Sequence, residues 1–315
     1  MKKKVSVCIA CRNEVGNVQP LAEELIKQLE QLPQFSFEII FADNCSLDGT
    51  QDKLREICAK DTRIKAILNA KNYPYNSGWN AMLHAQGDCV IIIPADFQVP
   101  VELVPKMIIE WEKGAMVVAL IKKLARKNKL RFIRRLYYAM SSNLSGRETL
   151  SGYSGGLFDK SFMEMCKVRN DPLITFSLDN MILNFAYPLI RLEYDEKPRR
   201  SGKSNHSFIS LIDIAIMRYV STARVGAHFA IIAGLGMGAV SFLLSIYYLV
   251  RKLLDWHHFP VGIAPLVIGM FFLGSVQLVF LGLIGEYVML INERQKNMPF
   301  VTEKERINFE DQTVE

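Results

Sequence analysis

The sequence predicts an α/β domain, a mostly parallel sheet with helices on both faces, followed by two apolar helices able to cross a membrane. Three observations carry this expectation. Short apolar runs alternate with helically spaced apolar residues over the first 120 positions, polar clusters close three of those runs, and the last third of the chain is nearly free of charge. Gly226–Asn292 holds only Arg251, Lys252, Asp255 and Glu286, where the 22% charged fraction of the whole chain would place about 15. The chain has 315 residues, is half hydrophobic and carries a formal charge of +6. That excludes a disordered or collagen-like chain and leaves room for two units of roughly 100–200 residues.

Each element follows from its own residues. Val5–Ala10 reads as a buried strand, after which Val18, Leu21, Leu25, Leu29 and Leu32 keep helical spacing. Phe37–Ala42 is a second strand, closed by the polar turn Asp43-Asn44-Cys45-Ser46-Leu47-Asp48-Gly49-Thr50; Leu54, Ile57 and Cys58 continue as a helix. Ile64–Leu68 reads as a strand, Gly78–Ala85 as a helix, and Cys89–Ile93 as a strand before Pro94-Ala95-Asp96-Phe97-Gln98. Val101–Glu112 is helical and Ala115–Ile121 extended. Apolar strands alternating with helices call for a mostly parallel sheet covered on both faces. In such sheets ligands bind beyond the carboxyl ends of the strands. Arg12–Glu14, Asp43–Asp48 and Asp96–Gln98 all stand at those ends.

Val225–Val250 contains no Asp, Glu, Lys or Arg, and neither does Trp256–Gly285. Each is longer than the ~20 residues needed to cross a ~30 Å hydrocarbon core. Spans are therefore expected at about 227–250 and 261–289. Met1–Lys4 is basic, but Val5–Ala10 is too short for the apolar core of a signal peptide. The expectation is a multi-pass protein of the cytoplasmic (inner) membrane with both termini in the cytosol. Lys197, Arg199, Arg200, Lys203, Arg218 and Arg224 before the first span, and Arg294, Lys296, Lys304 and Arg306 after the second, agree with that orientation. Leu130–Met140 and Phe208–Val220 mix basic and apolar residues in a manner that suits interfacial helices lying on a membrane. Gly234, Gly238 and Ser241 have the small-residue spacing of a helix–helix contact, which allows a homo-oligomer. Cys8 and Cys11 have CxxC spacing, but no second pair completes a zinc site and a strand points them to opposite faces, so packed thiols are expected. No nucleic-acid partner is expected.

The segments "VCIACRNEVGNVQPL", "FEIIFADNCSLDGT", "GDCVIIIPADFQVPVELVP" and "PRRSGKS" come in the order seen in family 2 glycosyltransferases of the GT-A (Rossmann-like) fold. Within that family the chain resembles the polyprenyl-phosphate glycosyltransferases, the group containing dolichol-phosphate mannose synthase and bactoprenol glucosyltransferases. Gly285-Glu286-Tyr287 and Met298-Pro299-Phe300 match the end of the second span and the tail of its membrane-anchored members. The resemblance covers about residues 4–301. It implies a catalytic domain over 1–206, an amphipathic helix over 207–224, the spans over 225–291 and a cytosolic tail over 292–315; the residues after Phe300 are polar and read as loosely ordered.

The resemblance also assigns roles. Ala10, Arg12, Glu14, Asp43, Asn44, Asp96, Arg199 and Ser204 would bind the nucleotide sugar, carboxylates accepting from ring N–H or ribose hydroxyl groups. Asp43 also suits capping its own turn. Asp96 and Gln98 would hold Mg²⁺ or Mn²⁺ against the donor diphosphate. Asp96, Arg199 and Lys203 would be the catalytic groups, the two cations neutralising the leaving diphosphate. Lys123, Arg126, Arg131, Arg134 and Arg135 are candidates for gripping the lipid phosphate. The chain departs from the family pattern in several places. Pro94 replaces the first carboxylate of the Asp-x-Asp motif, Val99 replaces the one after Gln98, Arg12 stands for an aromatic residue and Asn44 for a second Asp. Ser154 stands where many relatives carry a basic Asp, and Ser177 where they often carry Arg.

The expected reaction is an inverting transfer from a nucleotide diphosphate sugar, a UDP-sugar favoured, to polyprenyl (undecaprenyl) phosphate for a cell-envelope glycan. A phosphate monoester has its second pKa near 6, so such an acceptor needs little help from a base. Two rivals stand beside it. A processive polysaccharide synthase is disfavoured, because none of Trp79, Trp111 or Trp256 follows an Arg as its usual Gln-x-x-Arg-Trp requires. A non-catalytic membrane scaffold is favoured by the lost motif residues.

Overall fold

The structure, a computed structural model, describes residues 2–74, 76–123, 150, 152–169, 174–198 and 301–309, with isolated positions between 250 and 291. The chain divides into two compact units, Met1–Phe208 with Asn297–Glu315, and Ile209–Lys296.

The first unit is built on one mixed sheet. In chain order its elements are β1 (Lys4–Cys11), α1 (Val18–Leu29), β2 (Ser36–Asp43), α2 (Thr50–Lys60), β3 (Ile64–Asn69), α3 (Ser77–His84), β4 (Cys89–Pro94), α4 (Leu103–Glu112), β5 (Val117–Lys122), β6 (Tyr153–Asp159), α5 (Lys160–Arg169), α6 (Ile174–Phe185), β7 (Leu189–Tyr194) and β8 (Glu303–Ile307). The strand order is β7-β5-β6-β4-β1-β2-β3-β8. β4, β1, β2 and β3 run parallel to one another, as do β5 and β7; β6 runs against both β4 and β5, and β8 against β3.

Strand alternation divides the core into two layers. Val5, Val7, Ile9, Ile39 and Phe41 pack on one face with Val18, Leu21, Leu25 and Leu54 of α1 and α2. Cys8, Ile40 and Ile67 pack on the other with Trp79, Phe158 and Phe162. Because both faces are covered, the central strands read as continuous apolar runs. In α1, Val18, Leu21, Leu25 and Leu29 are buried at helical spacing, each such side chain contributing about 1.5–3 kcal/mol by leaving water. The same alternation puts Cys8 and Cys11 in opposite layers; burial first, and the nearby Glu38 carboxylate second, hold the Cys8 thiol well above its ordinary pKa.

Two expectations are corrected here. Residues 301–309 are not a loose tail: β8 closes the β3 edge of the sheet, with Leu68 opposite Glu305 and Ala66 opposite Ile307. Arg55 Nη2 meets Glu305 at 2.7 Å, and Asn308 Nδ2 donates to the Cys58 and Ile64 carbonyls at 2.8 Å each.

The second correction concerns the membrane. Among the described residues no helix is long and apolar enough to cross one. The longest of the sheet's helices, α1 and α6, have 12 residues, reaching ~18 Å where a hydrocarbon core needs ~30 Å. The multi-pass inner-membrane location with cytosolic termini rested on the two spans and is overturned with them. The stretch 227–250 lies outside the described residues except for Val250, and of 261–289 only isolated helical positions such as Leu266, Met270 and Leu281 are described. The interfacial helices expected at 130–140 and 208–220, and Gly234, Gly238 and Ser241, also lie outside them.

Candidate active site at the carboxyl rim of the sheet

Three strands bring the polar clusters together. Ala10 on β1 lies opposite Ala42 on β2 and Pro94 on β4, and Cys11 lies opposite Asp43. Neighbouring strands are ~4.8 Å apart, so Arg12–Glu14, Asp43–Asp48 and Asp96–Gln98 emerge side by side. Each of these loops holds one non-glycine residue in the left-handed region: Asn13 at φ 56°, Cys45 at 58° and Phe97 at 60°. Such conformations are costly and persist only where surrounding bonds enforce them.

Those bonds are present. Asn13 N donates to Ser46 Oγ (2.8 Å), Leu47 N to Asn13 Oδ1 (2.9 Å), Glu14 N to Thr50 Oγ1 (2.9 Å) and Val15 N to Asp48 Oδ2 (3.2 Å). The loops after β1 and β2 are thereby one welded rim. Burial opposes ionisation of Asp48, but hydrogen bonds from the Thr50 hydroxyl and from the Val15 and Thr50 N–H groups outweigh it and lower its pKa. Asp43 is fully buried and shapes its own turn, accepting from Ser46 N (3.0 Å), Gln51 Nε2 (2.7 Å) and the Ser46 hydroxyl. Asn44 ties down the loop after β3: its Nδ2 donates to Asn72 Oδ1 (2.7 Å) and its Oδ1 accepts from Tyr73 N (2.6 Å). Glu14 is buried and accepts from Asn17 Nδ2. Arg12 is half-buried, and its Nε is shut off from solvent with no hydrogen-bond partner among the described residues. An orphaned guanidinium donor at a rim suits an anionic ligand.

In the loop after β4, Asp96 is 5% exposed and its Oδ1 accepts from Gln98 N at 3.1 Å. The Gln98 carbonyl accepts in turn from Lys197 N at 3.1 Å, while Lys197 Nζ reaches Glu102 at 3.2 Å. The chain leading toward Arg199 is thus fastened to the Asp96–Gln98 loop. Arg199, Lys203 and Ser204 lie outside the described residues, as do Arg126, Arg131, Arg134 and Arg135. Lys123 is exposed at the same rim; its N–H donates to the Tyr194 carbonyl (2.9 Å) and its Nζ stands 4.0 Å from Asp195.

Because β6 is antiparallel, its first residues reach the carboxyl rim too. Ser154 Oγ is 2.7 Å from the Tyr194 hydroxyl at the end of β7. Gly155 fixes this corner: its φ is +121°, and a side chain there would collide with the Ile92 carbonyl. Sequence reasoning missed Tyr194, and the available signal was its place at the end of the apolar-alternating run Leu189–Tyr194. Asp159, by contrast, ends β6 at the opposite rim, where it takes the Trp111 indole N–H at 2.7 Å and the Ser161 N–H at 2.8 Å. A cleft of about 510 Å³ opens there between Lys3, Asp88, Trp111 and Tyr187. The Lys3 ammonium already covers the Trp111 ring at 4.9 Å.

The site therefore has buried carboxylates, an orphaned cationic donor and a hydroxyl pair along one rim. A protein-only metal centre is not among the described residues, which contain no cluster of three or more His, Cys, Asp or Glu able to hold an ion. The set Asp96 plus Gln98 fits a divalent ion that draws its remaining ligands from phosphate and water.

Fold and rim together define an α/β enzyme domain that takes its ligand at the carboxyl ends of a mostly parallel sheet. The chain belongs to glycosyl transferase family 2, whose family model matches residues 6–164, and it is a glycosyltransferase. It is 25% identical over 304 residues to the SfII prophage-derived bactoprenol glucosyl transferase of Shigella flexneri, covering 94% of this chain and 96% of that one. It is 28% identical over 295 residues to the undecaprenyl-phosphate 4-deoxy-4-formamido-L-arabinose transferase of Proteus mirabilis, covering 90% of this chain and 88% of that one. Among solved structures it is similar to glucosyl-3-phosphoglycerate synthase from Mycobacterium tuberculosis in complex with Mn²⁺, UDP and glucosyl-3-phosphoglycerate, with a TM-score of 0.48 and 14% identity over 71% of this chain and 81% of that one.

Proposed function

We propose that this glycosyltransferase moves a sugar, with inversion, from a nucleotide diphosphate sugar, a UDP-sugar by preference, to a polyprenyl phosphate. Relatives matched over nearly their whole length are named for bactoprenol and undecaprenyl-phosphate acceptors. The observation that carries the reading is the rim itself, where the partnerless Nε of Arg12 stands among the strand ends that carry the buried Asp43 and Asp96; at 154, where many relatives carry an Asp, this chain has Ser154, bonded to Tyr194.

With Ser154 in place of that Asp, the reading calls for a nucleophile that is already ionised. An oxygen of the acceptor phosphate, anionic at neutral pH because its second pKa is near 6, attacks the anomeric carbon opposite the nucleotide. The bond from that carbon to the diphosphate oxygen breaks, and the nucleoside diphosphate leaves with the electron pair. No proton has to be removed. Alignment of the phosphate and stabilisation of the leaving group are the work left to the protein. Arg12 donates to the diphosphate or ribose, Glu14 and the Ala10 backbone face the nucleotide, and Asp43 and Asn44 act by holding the rim loops in shape. Arg199, Lys203 and Ser204 receive the leaving diphosphate, and Lys123, Arg126, Arg131, Arg134 and Arg135 are the cations available to the acceptor phosphate. Asp96 and Gln98 are the residues that would hold Mg²⁺ or Mn²⁺, which when bound supplies positive charge beside the diphosphate.

The test is the purified chain with undecaprenyl phosphate in detergent, Mg²⁺ or Mn²⁺, and a panel of UDP- and GDP-sugars. The expected result is a lipid-linked sugar with free nucleoside diphosphate, and loss of metal-dependent nucleotide binding in Asp96→Ala. No glycolipid from any donor, with Asp96→Ala binding nucleotide like the wild type, would reject the reading.

A further inference from the structure

The two edges of the sheet are finished differently. β8 covers the β3 edge and carries Glu303, Lys304, Glu305 and Arg306 in a row, a charge density that resists further pairing. β7 ends the strand order on the other side. Its six residues pair with β5 in an unbroken parallel register, from Leu189 opposite Val117 to Tyr194 opposite Lys122. It contains no Pro, no Lys and no bulge, and among the described residues no strand lies beyond it. A regular edge of this kind is a template for another strand. Just before it, Phe185 and Tyr187 are 55% and 88% exposed, apolar surface that a single copy leaves in water.

The bonds to β5 fix what the edge offers. The Pro188 carbonyl accepts from Met116 N and the Tyr194 carbonyl from Lys123 N, each at 2.9 Å. Backbone groups alternate along a strand, so even-numbered residues turn theirs to β5, and Leu189, Arg191 and Glu193 turn theirs outward. An antiparallel neighbour forms its bonded pairs with those outward residues. Ile190 and Leu192 pack against the core, whereas Arg191 and Glu193 are exposed. Two-fold pairing centred on Leu192 sets Arg191 opposite the partner's Glu193, and Glu193 opposite the partner's Arg191. An axis through Arg191 would set Arg against Arg, and one through Glu193 would set Glu against Glu. Opposite charges facing across a pair stabilise it and like charges destabilise it. Arg-Leu-Glu is thus its own complement about Leu192.

We propose that the β7 edge is an interface between two copies of this chain, joined by antiparallel β7–β7 pairing about Leu192. Two Arg191–Glu193 cross-strand pairs set the register, and a single sheet runs through both copies. The two-fold axis makes the surface self-complementary. The partner is a second copy because the charges of the edge match their own reverse. Assembly at this edge does not depend on the donor or the acceptor.

Sedimentation of the full chain in mild detergent, over a range of protein concentrations, tests this. It compares wild type, Arg191→Glu, Glu193→Arg, the double variant carrying both changes, and an equimolar mixture of the two single variants; circular dichroism reports the fold of each. Wild type is expected as a dimer or another even-numbered assembly. Each single variant sets like charges opposite at two places, and reversing two such pairs corresponds to roughly tenfold or more in the dissociation constant. Each is therefore expected to need at least about tenfold more protein to associate, with its circular dichroism unchanged. The double variant and the mixture are expected to associate like wild type, because opposite charges face each other again. A wild type that stays a single copy at every concentration overturns the proposal. So does an assembly that neither single variant weakens, which puts the contact elsewhere. A loss that neither the double variant nor the mixture repairs also overturns it, since that marks damage to the fold or a different partner for the edge.

Discussion

Acid should loosen the amino-terminal end of the sheet through one carboxylate. Glu38, on β2, has a side chain only 2% exposed and gathers four donors: Ser6 Oγ at 2.6 Å, Gln86 N at 2.8 Å, Lys4 Nζ at 2.8 Å and Lys65 Nζ at 2.9 Å. Those donors come from β1, β3 and the turn before β4, so the carboxylate is a node joining four segments. Burial alone would raise its pKa, but the bonds from Lys4, Ser6, Gln86 and Lys65 outweigh it and bring it from 4.5 to about 2. Lowering that pKa from 4.5 to about 2 is worth, at about 1.36 kcal/mol per pH unit, on the order of 3 kcal/mol in favour of the folded state. Since the folded pKa lies below the unfolded one, that stability is present in full above pH ~4.5 and is lost as the pH falls toward ~2. Urea denaturation of wild type and Glu38→Gln at pH 7, 4.5, 3 and 2 measures it. The variant should be less stable by about 3 kcal/mol at pH 7, and the gap should close between pH 4.5 and 2. A gap that stays constant across that window would show that ionisation of Glu38 is not linked to folding, and would refute the reasoning.

Two further outcomes are expected. Asp43→Ala removes the acceptor for Ser46 N, the Ser46 hydroxyl and Gln51 Nε2, leaving buried donors unpaired at about 1–3 kcal/mol each. Thermal denaturation should show a lowered midpoint, and calorimetry weaker nucleotide binding, because the turn that carries Asn44 is built on that carboxylate. Glu303 holds β8 to α3 through His84 (3.2 Å) and Asn80 Nδ2 (2.6 Å) and also meets Arg306 of its own strand; burial opposes ionisation, but these bonds prevail and bring its pKa from 4.5 to about 2. Its contribution is complete above pH ~4.5 and lost toward pH ~2, so amide exchange of residues 303–307 should accelerate over that interval in wild type and already be fast at pH 7 in Glu303→Ala.

The legible part of the fold was the part whose residues explain themselves locally. β1 to β5 are covered on both faces, so each appears as an apolar run, and α1 shows its buried stripe at Val18, Leu21, Leu25 and Leu29. β8 was illegible because Glu-Lys-Glu-Arg-Ile carries little apolar surface and is held by side chains far away in sequence, Arg55 and Asn80 among them. The candidate site was legible as a set of strand ends, since the position of Arg12, Asp43 and Asp96 follows from topology. The division of labour within it was not. That Asp43 and Asn44 face inward to build the rim depends on Gln51, Asn72 and Tyr73, and that Ser154 meets Tyr194 depends on a strand pairing across β5. The charge-free stretches after Gly226 suggested spans, but the described helices are too short to cross a bilayer.

The pairing of β8 with β3 has a consequence for biosynthesis. About 230 residues separate the end of β3 at Asn69 from Glu303. At roughly 5–20 residues per second the ribosome takes on the order of 10–50 s to bridge that interval. Throughout it the nascent sheet presents an open row of amide and carbonyl groups along β3, the kind of surface on which neighbouring polypeptides aggregate. Release of the last strand is therefore the moment at which the young protein becomes safe from its neighbours, and any truncation before residue 303 leaves it permanently adhesive.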